Sequence, residues 1–291
     1  LVRTYAMHWP NYQRETARNI RRTPFHHRLR EQGACFTETQ GWERPGWYAP
    51  EGITPQYDYS FGRQNWFEYA LDEQRAARER VAIVDYSMLG KISVEGVGAE
   101  AFLQRVCTNN MAMACGRIAY TLLLNERGGI ESDVTVARYA DDHFMVMSSI
   151  ARTRRDYLWL AALIEPEEQV KLRDETASLG VLGVMGPQSR ALMTAVTDLD
   201  VTNEAFPFNR FYECHIGHAK VTAQRLSYSG ELGWEVLVTP DFAEHVLDSL
   251  LSAGAPLGVK LLGSEALNAL RIEKGFLHWG HDMAYTESPH Q

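Results

Sequence analysis

The chain has 291 residues, of which 45% are hydrophobic and 23% are charged, and its formal net charge is −8. An acidic chain of this kind is a poor partner for nucleic acid or an anionic membrane, and no apolar run reaches the ~20 residues that span a bilayer. The length suffices for one large domain or two of ordinary size.

The four cysteines are scattered along the chain without a C-x-x-C pair, which predicts reduced thiols and neither a zinc site nor a disulfide framework. Reduced thiols favour a location in the cytoplasm, or in the mitochondrial matrix of a eukaryote. The first residues, Leu-Val-Arg-Thr-Tyr, contain no initiator Met and no signal-peptide pattern. We therefore expect the chain to be part of something longer.

Residues 1–65 are rich in Arg, Trp and Pro and show no sustained periodicity, which predicts an extended connecting segment. Four arginines between residues 14 and 22 stand at helical spacing before Pro24, where such a helix would end. They form either a basic face for a polyanion or the solvated face of a helix beside an acidic neighbour. The second interpretation is favoured, because charge runs are usually solvated.

From residue 66 the hydrophobic periodicity becomes regular and predicts one domain over residues 66–291, built of two interleaved α+β subdomains. The predicted elements are a helix over 69–81, a strand over 91–95, a helix over 98–106, a meander of strands over 120–124, 130–139 and 144–148, a helix over 152–163, a strand over 181–185, a helix from 188, a hairpin with arms 219–228 and 234–238, and helices over 241–253 and 265–274.

The predicted fold class is α+β, with antiparallel sheets and flanking helices, because the strands fall in antiparallel runs. No glycine-rich dinucleotide or nucleoside triphosphate loop is present. Ser264 and Gly275 are the predicted N-cap and C′ residues of the last helix.

One hairpin carries a carboxylate in a strand. Residues 125–136 predict a strand, a tight turn at Gly128-Gly129, and a second strand that contains Asp133. Side chains alternate along a strand, so Asp133 points away from Val134 and Val136. Asp133 therefore faces either solvent or a ligand on the far side of the sheet.

The order of several motifs resembles the aminomethyltransferase (glycine cleavage T-protein) family from about residue 80 to residue 287. The preceding stretch, with His8-Trp9-Pro10 and Gly41-Trp42-Glu43-Arg44-Pro45, is similar to the carboxy-terminal folate domain of flavoproteins of the dimethylglycine and sarcosine dehydrogenase type. The family motifs are the hairpin around Gly128-Gly129 and Asp133, Leu182-Gly-Val-Met-Gly186-Pro187, Tyr228-Ser-Gly230-Glu231-Leu-Gly233-Trp-Glu235 and Leu270-Arg271-Ile-Glu273-Lys-Gly275.

The resemblance implies a T-protein-like folate-binding fold whose closing C-terminal β-barrel, expected after residue 290, is missing. It also implies tetrahydrofolate as the cofactor and FAD only in a flavin domain or subunit outside this chain. The implied function is transfer of a one-carbon unit from a small methylated amine to tetrahydrofolate, which gives 5,10-methylenetetrahydrofolate. Two alternatives stay open: a folate-dependent demethylase with an S- or O-methyl donor, and a folate-binding module without catalysis.

The resemblance also implies roles for individual residues. Asp133 is the expected catalytic residue, an ionised carboxylate that orients N10 of the folate. Glu235 is expected to accept the amino group and ring N–H of the pterin as a bidentate pair. Tyr228, in the same motif, is a further expected folate ligand, and Tyr120 and Trp279 are either stacking surfaces for folate rings or core residues.

The remaining polar residues of these motifs are expected to be structural. Glu231 is predicted to be a turn residue, and Arg271 a structural residue that does not pair with Glu273. A folate-binding arginine of the T-proteins falls on Leu267 here, so its contact is lost or supplied otherwise. The cluster His278, His281 and Asp282 lacks a fourth ligand, so no metal site is expected.

Overall fold

The computed structural model describes residues 5–10 and 12–290, which form three open β-sheets flanked by helices. The expectation that the chain is part of something longer rests in part on its first four residues, which lie outside this range. The predicted α+β class with antiparallel sheets is confirmed, and no sheet of the described part closes into a barrel. No helix in this part is both long and apolar enough to cross a membrane.

The strands of the described residues vary from two to eleven residues in length. In chain order they are β1 (Arg21–Arg22), β2 (Ala34–Thr39), β3 (Trp42–Tyr48), β4 (Ala82–Asp85), β5 (Gly90–Glu95), β6 (Ile118–Leu124), β7 (Ile130–Ala140), β8 (His143–Ser148), β9 (Lys171–Asp174), β10 (Gly180–Met185), β11 (Phe211–Ile216), β12 (Ala219–Gln224), β13 (Gly233–Val238) and β14 (Lys260–Leu261).

The helices lie between and after these strands, and the predicted helices are confirmed to within two or three residues at most ends. They are α1 (His26–Glu31), α2 (Phe67–Glu79), α3 (Ala99–Val106), α4 (Thr153–Ala162), α5 (Ser189–Val196), α6 (Ala243–Gly254) and α7 (Ser264–Glu273).

Two large sheets carry most of the fold. The six-stranded sheet has the order β11-β12-β13-β10-β4-β14, and only the pair β14–β4 is parallel. The five-stranded sheet has the order β6-β7-β8-β5-β9 and is antiparallel throughout. The loop between β4 and β5 connects the two sheets, so residues from both halves of the chain meet between them.

The buried apolar residues form one core between the large sheets and one core on the outer face of each. Helices α1, α5 and α6 cover the outer face of the six-stranded sheet, and α3 and α4 cover that of the five-stranded sheet. The inner core contains Tyr86, Met145 and Met147 together with residues of α2 and α7. Because both faces of both sheets are covered, an inward-facing polar side chain is either buried or lines a cleft.

The small third sheet, with the order β1-β3-β2, lies within residues 1–65. Trp47 of β3 is completely buried and stacks on Tyr69 of α2, with ring centroids 5.3 Å apart. Residues 21–48 are therefore folded against the rest of the molecule. The proposed domain boundary at residue 65 stays a prediction.

The predicted arginine helix before Pro24 is wrong. Residues Glu15–Ala17 make one 3₁₀ turn, and Arg21–Arg22 are strand β1. Asn19 has a left-handed backbone with φ of 60°, which a continuing helix excludes. The buried carboxylate of Glu43 explains this path, because it accepts hydrogen bonds from Arg18 Nε at 2.8 Å and from the Asn19 N–H at 3.1 Å.

The start of α7 also differs from the prediction. Gly263, with extended φ and ψ of −88° and 170°, is the N-cap residue in place of Ser264. The N–H of Gly263 donates to buried Glu73 at 2.8 Å, so a carboxylate from α2 fixes this end of the helix. The prediction of Gly275 as C′ residue is confirmed by its left-handed φ of 70°.

Candidate functional site

The two predicted carboxylates lie on the inner faces of the two large sheets. Val134 and Val136 pack in the outer core of the five-stranded sheet, so Asp133 lies on its inner face, which confirms the alternation argument. On β13, Trp234 packs in the outer core of the six-stranded sheet, and Glu235 lies on the inner face. Asp133 and Glu235 therefore belong to facing surfaces.

Asp133 is partly buried and has a defined orientation. The hydroxyl of Tyr120 donates to Asp133 Oδ2 at 3.2 Å. Burial raises the pKa of the Asp133 carboxyl, and the hydrogen bond from Tyr120 opposes that rise. Tyr120 is 54% exposed, so this pair lies near the protein surface. Asp133 is therefore a partly desolvated, oriented carboxylate near the surface.

Glu235 lies deeper, with 8% of its surface exposed. Its carboxylate receives no hydrogen bond from the described residues. Burial raises the pKa of Glu235 to about 7, and the positive charge of Lys91 acts against the rise. A buried carboxylate without a donor is costly, so this position is suited to a ligand that brings N–H groups.

Gly183 of β10 lies beside Glu235 in the sheet. A Cβ at this position would lie 2.8 Å from both Tyr86 Cε2 and Val84 Cγ1. The glycine therefore lets the Tyr86 ring pack against the strand next to Glu235. The Tyr86 hydroxyl donates to the sulfur of Met185 at 3.8 Å.

Lys91 is a completely buried residue that the sequence did not single out. Its Nζ donates to the carbonyl oxygens of Ser87 and Leu89, both at 2.9 Å. Burial lowers the pKa of Lys91 to about 8, and the negative charges of Asp85 and Glu235 partly restore it. The predicted strand over 91–95 was the signal that could have identified Lys91. Side chains alternate along a strand, so Lys91 and Ile92 point to opposite faces of the sheet, and Lys91 lies on the inner face.

Tyr228 lies close enough to Asp133 for the two groups to interact electrostatically. The charge of Asp133 contributes to the rise in the pKa of Tyr228, which burial chiefly raises to about 12. Its hydroxyl donates to the Leu277 carbonyl at 3.1 Å, and its ring stacks near Phe276. The structure thus brings together Asp133, Tyr120 and Tyr228.

Trp279 lies beside the start of β7. Its indole N–H donates to the Ile130 carbonyl at 2.7 Å, and the guanidinium of Arg152 lies 3.5 Å from the ring centroid. One face of the ring is therefore covered by a cation. A contact between Trp279 and folate stays a prediction. Such a contact would have to use the part of the Trp279 ring that Arg152 leaves uncovered.

The segment over residues 276–287 crosses from the end of α7 to the hairpin that carries Asp133. Buried Arg271 donates to the Phe276 carbonyl at 3.0 Å and to the carboxylate of Asp282, which agrees with its predicted structural role. The Ile130 N–H donates to the Glu287 carbonyl at 2.9 Å. We call residues 276–287 the C-terminal strap.

The other polar residues of the motifs are engaged in structural contacts. Glu231 binds Arg78 at 2.8 Å and Lys274 at 3.3 Å, as expected for a turn residue. The carboxylate of Asp282 is held by Arg271 and by the His278 N–H. Among the residues the structure describes, no three His, Cys, Asp or Glu side chains are grouped to hold a metal.

Gly129 is the point at which the strap meets the hairpin. A Cβ there would lie 2.0 Å from the Tyr285 carbonyl oxygen. We expect Gly129→Ala to displace the strap and to lower the free energy of unfolding by about 1–3 kcal/mol, the usual cost of overpacking. Thermal unfolding and limited proteolysis after residue 275 measure this. Gly62→Ala is the matched control, because its nearest atom would be 3.7 Å away; equal behaviour of the two variants would contradict the contact.

Residues 25–291 match the model of the GCVT N-terminal domain family. The chain belongs to this family. It is 42% identical over 290 residues to 4-methylaminobutanoate oxidase (formaldehyde-forming) of Paenarthrobacter nicotinovorans, and the match covers 100% of the chain and 35% of the relative. It is 32% identical over 326 residues to human mitochondrial sarcosine dehydrogenase, covering 99% of the chain and 36% of the relative.

The chain therefore spans about a third of the length of these relatives. Among solved structures, glycine cleavage system aminomethyltransferase T from Bartonella henselae superposes with a TM-score of 0.76 at 23% identity. That match covers 93% of the chain and 67% of the aminomethyltransferase. The predicted T-protein-like fold is confirmed, and so is the resemblance to demethylating dehydrogenases.

Proposed function

We propose that this chain is the tetrahydrofolate-dependent one-carbon transfer domain of a demethylating amine dehydrogenase, and that it forms 5,10-methylenetetrahydrofolate. The observation that carries the proposal is Glu235, a buried carboxylate that accepts no hydrogen bond from the described residues, on the inner face of the sheet that packs against the sheet of Asp133. Family membership supports the same function.

The chemistry of Glu235 fits a reduced folate. A pterin presents an amino group and a ring N–H side by side, and one carboxylate can accept both. Such a pair would satisfy the group that the described protein residues leave without a donor. Tyr120, Tyr228 and Trp279 would line the path from this carboxylate to the cleft mouth.

Tetrahydrofolate would supply two nucleophilic nitrogens that accept the one-carbon unit. Asp133 would orient the reacting nitrogen and take part in moving its proton. Burial raises the pKa of Asp133, so this carboxylate is a stronger base than an exposed aspartate. The Tyr120 hydroxyl fixes its orientation.

The relatives support a proposal for the donor and the partners. The names of the two relatives specify methylated amino acids, 4-methylaminobutanoate and sarcosine. We propose that the donor is a small amine of this class and that a flavin domain or subunit outside this chain oxidises it. The proposed compartment is the cytoplasm or the mitochondrial matrix. The S- or O-methyl donor and the purely binding module gain no support from these relatives.

Calorimetric titration of the chain with tetrahydrofolate under anaerobic conditions tests the proposal. We expect saturable binding with one site per chain. A flat titration with no saturation would overturn the assignment. Folic acid serves as the control for the reduced ring, because it has the same tail but an oxidised pterin ring.

A further inference from the structure

Five large apolar side chains from two stretches of the chain are exposed to solvent. They are Tyr5, Met7, Trp9, Tyr12 and Phe61, and we call them the aromatic face. Tyr5 is 85% exposed and Phe61 is 81% exposed. Single exposed apolar residues are normal on a protein surface, whereas a group of them marks a site of interaction.

Ring contacts hold the two stretches together. The ring centroids of Trp9 and Phe61 lie 4.6 Å apart, and those of Tyr12 and Tyr59 lie 5.3 Å apart. The N–H of Gln13 donates to the Tyr59 hydroxyl at 2.8 Å. Because these contacts join residues on either side of β2 and β3, the aromatic face is one surface.

The composition of the aromatic face fits a protein partner. Aromatic residues and methionine are enriched in protein–protein interfaces, where they supply large apolar contact areas. A lipid surface is usually bound by an amphipathic helix, and the described residues of the two stretches are not helical.

A cavity of about 490 Å³ lies beside the aromatic face. Gln13, Tyr57 and Tyr59 line it, together with Arg18 and Cys35 and further residues. The strongest positions of a protein interface are those where a side chain of one partner fills a pocket of the other. The cavity therefore offers a partner a place to insert a side chain next to the exposed rings.

We propose that the aromatic face is the docking surface for the flavin-bearing domain or subunit, an inference that rests on the proposed function. In that function the part that oxidises the amine lies outside this chain and needs an interface with it. The chain spans about a third of the length of the oxidase and the dehydrogenase that it resembles. Interfaces between domains bury about 600–1,500 Å², an area that requires several large exposed side chains side by side.

Hydroxyl-radical footprinting of the chain alone and of its complete flavin-bearing assembly tests the inference. The rate of oxidation reports how accessible a side chain is, and methionine and aromatic side chains react readily. We expect oxidation of Met7, Trp9 and Phe61 to slow about tenfold in the assembly, because the core of an interface is fully buried. Phe208, which is 61% exposed in the loop before β11, is the internal control and should not change.

Phe61→Glu places a charge in the same surface, and Phe208→Glu is the matched control. In the assembly, Phe61→Glu should return the oxidation of Met7 and Trp9 to the rate of the chain alone, whereas the control should leave both protected. Unchanged thermal unfolding of the two chains shows that they are folded.

Equal oxidation of the aromatic face in the wild-type chain and in the assembly would overturn the inference, and so would protection that survives Phe61→Glu. Protection that appears in the chain alone as its concentration rises would also overturn it, because the occupant would be a second copy of the chain. If the purified assembly carries no flavin, the proposed function fails instead.

Discussion

Replacing Asp133 by alanine is expected to lower the rate of one-carbon transfer about 10²- to 10⁴-fold, the range that a positioned acid or base contributes. Affinity for tetrahydrofolate should stay within about an order of magnitude, because the role of Asp133 is in the chemical step. The rate of 5,10-methylenetetrahydrofolate formation is measured in the full-length protein, or in the chain mixed with a flavin-dependent amine oxidase. The pattern of a large rate loss with a small change in binding is specific to a residue at the reacting atoms.

Two controls accompany the Asp133 experiment. Asp133→Asn keeps the shape and the contact with Tyr120 but removes the base, so it should lose nearly as much activity as alanine. Asp142→Ala removes an exposed carboxylate from the turn after β7 and should leave the rate unchanged. If turnover of Asp133→Ala equals that of the wild type, Asp133 has no catalytic role.

Replacing Glu235 by glutamine is expected to weaken tetrahydrofolate binding by about 1.5–3 kcal/mol, the value of a hydrogen bond to a charged group. Glutamine keeps the size of the side chain but offers one acceptor in place of two. Titration calorimetry measures the difference, with Glu213→Gln as control, because Glu213 pairs with Lys220 on an exposed edge. An unaltered dissociation constant would show that Glu235 does not bind the pterin.

The same carboxylate makes binding dependent on pH. The pKa of Glu235 in the free protein is raised to about 7, and only the ionised form accepts two N–H donors. Affinity should therefore fall as the pH decreases below about 7 and level off above it. The slope should disappear in Glu235→Gln, and a persistent slope would assign the titration to another group.

Much of the site could be predicted from local pattern. Alternation in the strand after Gly128-Gly129 placed Asp133 away from its valines, and the motif around Glu235 placed that residue on a strand. The two carboxylates lie on facing surfaces because the two sheets pack together. That fact depends on contacts between distant parts of the chain, which no local pattern contains.

The errors and omissions have the same physical origin. The arginines before Pro24 have helical spacing, but the buried Glu43 draws Arg18 into a different path. Lys91 is polar and reads as an exposed strand residue until the facing sheet covers it. In each case tertiary packing overrides the local preference.

A crystal structure of the chain with 5-formyltetrahydrofolate, a stable reduced folate, tests the central claim most directly. We predict that the pterin binds between the two large sheets, with its amino group and ring N–H on the carboxylate of Glu235 and its N10 beside Asp133. Density for the folate outside this cleft, or in it with Glu235 uncontacted, would contradict the proposed function.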